Sequence, residues 1–543
     1  MNNKNRFMPL IMALCIIIGI VIGTFYANHL SGNRLSIINS SGNKLNSLLQ
    51  IVNDQYVDTV NIDSLVEGAM PQILSELDPH SVYISAKDVQ AANDDLKGSF
   101  SGIGIEFTIR QDTIHVQNVI TNGPSEKAGI LAGDKIVSID DQPFVGKIVT
   151  NEEAMHRLKG PKDTKVKLGI IRYGEKKVKY FTITRGEIPV KSISATYMLD
   201  DDTGYIRIKN FGENTYSEML IALGTLSQES FSNLVIDLRG NTGGYLASAV
   251  KIANEFLPKN SLIVYTEGRR SPRQEYKSDG HGAYQRIPLV ILIDEGSASA
   301  SEILSGAIQD NDRGTIIGRR SFGKGLVQQP LPFADGSMIR LTIARYYTPS
   351  GRCIQKPYTS GSDRDYETDL MTRYQHGEYF SQDSIKHTGP AYHTLIENRT
   401  VYGGGGITPD IFVPEDTLGM TSYYKEAAMT GLILQFAYTY TDDNRSKLSA
   451  YKDMKSLADY LQKLNTVELF ASYAEKNGLK RRNLLIQKSH KLLERYVNSR
   501  IIYNMMSEQA WTQYLNADDP VIKTTLKLFK ENRAFPKNEK KRA

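Results

Sequence analysis

Three short stretches of this chain hold residue types that together make up hydrolytic chemistry. Glu295-Gly296-Ser297-Ala298-Ser299-Ala300-Ser301-Glu302 offers three hydroxyls alternating with small residues. Ser321-Phe322-Gly323-Lys324-Gly325-Leu326-Val327-Gln328 sets a lysine between glycines, with a glutamine four positions on. Asp237-Leu238-Arg239-Gly240-Asn241-Thr242-Gly243-Gly244 ends in a glycine pair. A serine hydroxyl is a poor nucleophile until a base takes its proton, and an ordinary lysine is protonated near neutrality. A serine in the first stretch and the lysine of the second therefore suggest a serine–lysine hydrolase.

Such groups need elements to hold them. Ile287-Pro288-Leu289-Val290-Ile291-Leu292-Ile293 is a short apolar run that reads as a buried strand, and Ile303-Leu304-Ser305-Gly306-Ala307-Ile308 reads as the start of a helix. The serines then sit at a strand-to-helix turn, beside free backbone N–H groups and the positive end of a helix dipole. Leu234-Val235-Ile236 predicts a second strand feeding the glycine pair. A plainer account exists for each part. Ser299-Ala300-Ser301-Glu302 fits a capping box, which needs no catalysis, and lysines between glycines are common in loops.

Two further stretches complete a pattern: Tyr347-Thr348-Pro349-Ser350-Gly351-Arg352 and Gly406-Ile407-Thr408-Pro409-Asp410. In this order the motifs resemble the carboxy-terminal processing peptidases, or tail-specific proteases, over about residues 35–415. The resemblance implies an α/β fold: a ClpP/crotonase-like protease core with an inserted β-rich PDZ domain, an N-terminal helical segment and a C-terminal helical extension. Matched position by position, Ser299 is the nucleophile, Lys324 the general base and Gln328 the residue that orients the lysine.

The chemistry agrees. Desolvation lowers a lysine pKa, and Phe322, Leu326 and Val327 are apolar neighbours able to supply it. Lys324 and Gln328 are four apart, so they share a face on a strand and nearly do on a helix; the glutamine carbonyl can then accept from the amine and aim its lone pair at Ser299. The tetrahedral oxyanion needs fixed donors. The Ala300 N–H is the natural first, and the Gly243-Gly244 turn should supply the second, with the choice between these glycines open.

Residues 98–186 form a separate module that resembles a PDZ domain, opening with Ser101-Gly102-Ile103-Gly104-Ile105-Glu106-Phe107. Gly102, Ile103, Gly104 and Ile105 match the loop whose N–H groups hold a peptide C-terminus while the peptide adds as a strand. A simple bulged turn is the alternative. A C-terminus sensor beside a serine–lysine site implies protein or peptide substrates with free C-termini.

The chain has 543 residues, enough for three or four domains, and a net charge of +5 that is spread out and does not argue for nucleic acid. The basic end, Lys537-Asn538-Glu539-Lys540-Lys541-Arg542-Ala543, reads as a solvated tail. Residues 7–28 carry no charge and follow Lys4 and Arg6. At about 1.5 Å per residue they match a bilayer core of about 30 Å. A cleaved signal peptide fits less well, because Phe25 would stand at −3 from a cut after Ala27, and Leu14 before Cys15 does not suit a lipoprotein site. The expectation is a single-pass anchor in the inner (cytoplasmic) membrane, with residues 1–6 cytoplasmic and the bulk periplasmic or otherwise extracytoplasmic. The two cysteines, Cys15 and Cys353, are far apart and predict no intramolecular disulfide.

Residues 29–97 read as mainly helical, with Leu45, Leu48, Leu49 and Val52 at helical spacing. The core is expected over 187–415. It departs from the family pattern by an insertion of about 353–402, in which His376, His387 and His393 are spaced too irregularly for a familiar metal site, so a surface lid or docking loop is the expectation. Residues 416–543 read as a helical extension, with Leu457, Tyr460, Leu461 and Leu464 at helical period, packing onto the core or a partner. No cofactor or metal is expected; a homo-oligomer or an adaptor is left open. Ser41-Gly42-Asn43-Lys44, Ser278-Asp279-Gly280 and His387-Thr388-Gly389 imitate a penicillin-binding order, but two of the three are degenerate. A Ser-His-Asp triad lacks its Gly-x-Ser-x-Gly elbow. The alternative of another class is a catalytically silent PDZ scaffold of the cell envelope, against which the complete set Ser299, Lys324 and Gln328 argues.

Overall fold

The computed structural model describes residues 8–32, 41–110, 112–172, 175, 177–361, 364–387 and 389–537. It divides into two compact units, Met1–Glu76 and Leu77–Ala543. The first holds the helices Met8–Gly32, Ser41–Gln55 and Ile62–Ser75, the last capped by Asn61, whose side chain accepts the Ser64 N–H at 3.1 Å. In Met8–Gly32 side chains are described only over 12–24, and all of them are exposed. The span expected at 7–28 thus lies in part outside the described residues, among which no helix is long and apolar enough to cross a membrane. The end of the basic tail, 538–543, also lies outside them.

In the second unit a six-stranded sheet runs in the order Ile193–Met198, Thr203–Ile208, Asn233–Asp237, Leu289–Ile293, Thr315–Gly318, Ile411–Phe412. Its first pair is antiparallel and the remaining pairs are parallel. Alternation along its strands sorts two cores, as period-two side chains must. Leu234, Ile236, Leu289, Ile291 and Ile293 face the helices Leu246–Asn254 and Ala300–Asp310. Val235, Val290 and Leu292 face the C-terminal helix Pro520–Lys530 through Val521, Ile522, Leu528 and Phe529. Both faces are covered, which is why these strands are apolar throughout. The strand predicted from Ile287 begins at Leu289, because Pro288 has no N–H for the ladder.

A second sheet pairs Val82–Ile84, Met338–Tyr347, Leu262–Glu267 and Gln274–Lys277 in that order, with Leu326–Pro332 also on Met338–Tyr347. Within the mainly helical stretch before the inserted module, the short strand Val82–Ile84 is held by the long-range register Val82↔Arg340, which no local pattern reveals. Residues Ser99–Gly102 and Gly186–Pro189 pair as a two-stranded stalk, between whose ends lies a separate sheet with its own core around Ile114, Ile136, Leu168 and Ile170.

The C-terminal helices from Ser422 to Met505 bury a core of their own, including Phe436, Leu457, Phe470 and Val497. They touch the inserted module, where Arg110 Nη1 meets Asp442 at 3.1 Å and Tyr503 donates to Glu106 at 3.3 Å. The segment after them reaches the protease core, where Asn516 donates to the Tyr197 hydroxyl at 2.7 Å and Arg239 meets Asp519 at 2.7 Å. The extension therefore packs on both modules.

Candidate active site

The three chemistry-bearing stretches follow the carboxyl ends of three adjacent parallel strands. Asn233–Asp237 leads to the glycine pair, Leu289–Ile293 to the serines, and Thr315–Gly318 to the lysine. Loops at the carboxyl ends of neighbouring parallel strands converge on one crevice, so strand order alone brings these stretches together. Hydrogen bonds tie them: Ala298 N–H to Asn241 O at 2.9 Å, Phe322 N–H to Ser297 O at 2.9 Å, and Arg319 N–H to Ile293 O at 3.1 Å. Gly243, Gly244, Ser299, Lys324 and Gln328 all line one cleft of about 1360 Å³, whose walls include Phe211, Tyr245, Ile303 and Ile343.

The three serines of the run have different surroundings. Ser297 is fully buried and donates to Leu238 O at 2.8 Å; Ser301 is fully buried and donates to Asn241 O at 2.9 Å. Both hydroxyls are used to join neighbouring loops. Ser299 instead lines the cleft, at the N-terminus of the helix Ala300–Asp310, with φ 54° and ψ −111°. A non-glycine residue there costs of order 1–3 kcal/mol and persists only where its surroundings impose it.

Glu302 does much of the imposing. It is fully buried, and its carboxylate accepts the Ser299 N–H (2.8 Å), the Ser321 hydroxyl (2.5 Å), the Gly323 N–H (2.7 Å) and the Lys324 N–H (2.8 Å). The sequence supports only a helix cap at this residue; the structure makes it the junction of the serine turn and the lysine loop. Burial pushes its carboxyl above the usual range, against those four hydrogen bonds. Tyr346, also buried, makes a second junction: its hydroxyl donates to Ser299 O at 3.1 Å and to Lys324 O. Neither role left a signal in the sequence beyond the residue type.

Burial holds the Lys324 ammonium below the usual lysine range; Glu302 and Asp78 oppose this and Arg340 adds to it. Asp78 belongs to Asp78-Pro79-His80-Ser81, a turn that sequence reasoning passed over, in which Asp78 accepts the N–H groups of His80 (2.9 Å) and Ser81 (3.0 Å). Burial and the Lys324 charge lower the His80 pKa to about 4.

Lys324 and Gln328 both line the cleft, but strand alternation is not what brings them there. Lys324 lies in the loop before the strand Leu326–Pro332, and a bulge between Val327 and Gln328 shifts the register, so even spacing no longer implies one face. Among the described residues the Gln328 side-chain amide nitrogen is buried without a partner.

The glycine pair sits hard against the serine turn. A Cβ on Gly243 would lie 2.7 Å from Ser299 Cβ and 3.0 Å from Ala300 N. The two glycines differ in what their N–H groups do. That of Gly243 donates to Asn241 Oδ1 at 2.8 Å, whereas no described residue accepts that of Gly244 or that of Ala300. Gly244 is held by a bridge to Phe211, whose carbonyl takes the Tyr245 N–H at 2.7 Å.

The remaining motif residues are structural. Asp237, fully buried, is held down to about 2 by Arg239 against its burial. Arg352, with no exposed surface, donates to Asp310 and Gln309 at 2.7 Å each, pinning the far end of the serine helix. Asp410 accepts the Ile316 N–H at 2.8 Å and the Gln309 amide at 2.9 Å.

In the separate module, Gly102, Ile103 and Gly104 are buried, and Gly104 has φ 76°. The carbonyls of Ile103 and Gly104 accept from Ser125 (2.9 Å) and Ile120 (3.0 Å), while among the described residues their N–H groups have no acceptor. Ile105 begins the strand Ile105–Arg110. Backbone donors left open in a buried loop suit a carboxylate.

Comparison with known proteins gives four family models. Residues 202–368 match peptidase family S41, 101–183 a PDZ domain, 28–88 the N-terminal domain of the activating protease CtpB, and 423–507 a family of unknown function (DUF8443). A carboxy-terminal-processing protease of Bartonella bacilliformis is 38% identical over 317 residues, covering 58% of this chain and 72% of that protein. The carboxy-terminal processing protease CtpB of Bacillus subtilis is 36% identical over 318 residues, covering 58% and 65%. Among solved structures, a photosystem II D1 C-terminal processing protease is 25% identical, covers 70% of this chain and 89% of its own, and superposes with a TM-score of 0.38.

Proposed function

This chain belongs to the carboxy-terminal-processing proteases, serine peptidases that here carry a PDZ domain, and from that premise we propose that it is an endopeptidase working through a Ser299–Lys324 dyad. In this reading Lys324, whose charged form burial disfavours, takes the Ser299 proton as the hydroxyl attacks the substrate carbonyl, and returns it to the leaving amine. The developing oxyanion sits at the N-terminus of the helix Ala300–Asp310 and is held by the N–H groups of Ala300 and Gly244. The open Gly244 donor favours it over Gly243, whose N–H is taken by Asn241. Gln328, which lines the same cleft, is the residue taken to orient the base.

The observation that carries this reading is the contrast among the serines: Ser297 and Ser301 are buried and bonded, and Ser299 alone lines the cleft in a strained turn. The test is hydrolysis of a quenched peptide. Ser299→Ala and Lys324→Ala should each abolish turnover in a protein that still melts cooperatively, and Lys324→Arg should fail as well, since a guanidinium does not deprotonate near neutrality. A turning-over Ser299→Ala protein overturns the assignment.

Substrates are taken to be proteins cleaved near their C-termini after Gly102, Ile103, Gly104 and Ile105 hold the terminal carboxylate, with the open N–H groups of Ile103 and Gly104 in support. We also place the catalytic unit outside the cytoplasm on a single-pass anchor at residues 7–28, supported by the uncharged run and the exposed side chains of 12–24. Deleting that run should release the protein from membranes resistant to alkaline carbonate; membrane retention of the deletion rules the anchor out.

A further inference from the structure

The loop that presents Lys324 is gripped by the stretch at 353–402, where this chain departs from the family pattern. Arg373, only 5% exposed, donates through Nη2 to Arg320 O at 2.6 Å and through Nη1 to Ser321 O at 3.0 Å. Its Nε meets Glu378 Oε1 at 3.0 Å, and the same carboxylate takes both Arg320 Nε and Nη2, at 2.6 and 2.7 Å. Next along the loop, the Lys356 ammonium stands 4.0 Å from the Phe322 ring centroid and 3.9 Å from that of Tyr366, and donates to Tyr366 O at 2.9 Å. The Lys356 N–H donates to Gly323 O at 2.9 Å. Part of the stretch expected as a surface lid or docking loop is thus buried against the lysine loop.

Burying a guanidinium and an ammonium is costly unless each is fully paired. Arg373 is paired to two carbonyls of this loop and to Glu378, and Lys356 to Tyr366 O and Asp369 with its ammonium over the loop's Phe322 ring. A fork that holds two successive carbonyls fixes the direction in which the loop leaves the strand Thr315–Gly318. We propose that Arg373 and Lys356 are positioning residues for Lys324, the inserted stretch setting the loop so that the base is withdrawn from water and aimed at the serine turn. This rests on the reading of Lys324 as the base. The groups whose charges act on Lys324 are Glu302 on the serine helix, Arg340 on the strand Met338–Tyr347, and Asp78 with His80 before Val82–Ile84. None belongs to the inserted stretch, so its influence is by placement and exclusion of water rather than by its field.

The experiment uses the full chain, with kcat and KM on one peptide and the pH profile of kcat/KM for Arg373→Gln, Lys356→Met and Lys324→Ala. Arg373→Gln loses the fork; kcat should fall roughly 10²-fold, the effect of misplacing a catalytic group by about 1 Å, with KM little changed. The rising limb of the profile should move upward by roughly one pH unit as Lys324 regains water. Arg373→Lys should restore little, because an ammonium cannot span two carbonyls as a planar fork does. If Arg373→Gln fails to fold, Lys356→Met, which keeps the volume between the two rings, is read for the same limb. A wild-type limb and kcat in these variants, with Lys324→Ala inactive, overturns the positioning role and leaves the base assignment standing. An active Lys324→Ala protein overturns both.

Discussion

Replacing Gly243 by alanine tests whether the glycine pair sets the nucleophile. The added Cβ would lie 2.7 Å from Ser299 Cβ, 2.8 Å from Ala298 O and 3.0 Å from Ala300 N, all atoms of one turn with no flexible side chain to yield. Its φ of 104° also lies where side chains are strained. Strain of about 1–2 kcal/mol and overpacking of about 1–3 kcal/mol give a loss of about 2–5 kcal/mol. A protein with the usual margin of about 5–15 kcal/mol stays mostly folded. The clash is relieved only by moving the Ser299 turn, and a shift approaching 1 Å should cost about 10²-fold in kcat. Gly240→Ala is the control: φ is 71°, but nothing lies within 4 Å of its Cβ, so it should lose only about 1–2 kcal/mol and keep its turnover. The assay is kcat/KM on a quenched peptide, with the folded fraction from thermal melts and active sites counted with a fluorophosphonate. Wild-type kcat in Gly243→Ala, or an equal loss in Gly240→Ala, refutes the argument.

Ser297→Ala and Ser301→Ala should keep hydrolysing but melt earlier, each losing one of two hydrogen bonds at a buried carbonyl, about 0.5–1.5 kcal/mol; loss of turnover at full stability contradicts this. Amidating a substrate's C-terminus removes the charge that the open N–H groups of Ile103 and Gly104 are expected to bind, and should weaken capture by about 1–3 kcal/mol, read by calorimetry; equal affinities exclude that loop as a C-terminus sensor. His80, lowered to about 4, binds its proton more readily in the unfolded chain, so its contribution is present above pH 6.5 and lost as the pH falls towards 4. In His80→Gln the drop in stability across that window should shrink by about 1–2 kcal/mol after allowing for solvent screening, measured by urea melts at pH 7 and pH 4; an unchanged drop contradicts the burial argument.

Much of this protein is local and so legible in its residues alone. The apolar runs at Leu234-Val235-Ile236 and Leu289-Val290-Ile291-Leu292-Ile293 mark strands, the serine run marks a turn into a helix, and the motif order marks the family. What tertiary structure decided depends on directions that one-dimensional spacing does not carry. A bulge between Val327 and Gln328 breaks the alternation on which the spacing argument for Lys324 and Gln328 rested, yet both line the cleft. The Asn241 side chain took the Gly243 N–H and left that of Gly244 open. Glu302, legible as a cap, became the acceptor for both loops only because adjacent parallel strands place Gly323 and Lys324 beside it. The strand Val82–Ile84 and the grip of Arg373 on the lysine loop join residues remote in sequence. Such contacts are chosen by which strands become neighbours and by where buried polar groups find partners. Periodicity and residue type report only what each segment prefers by itself.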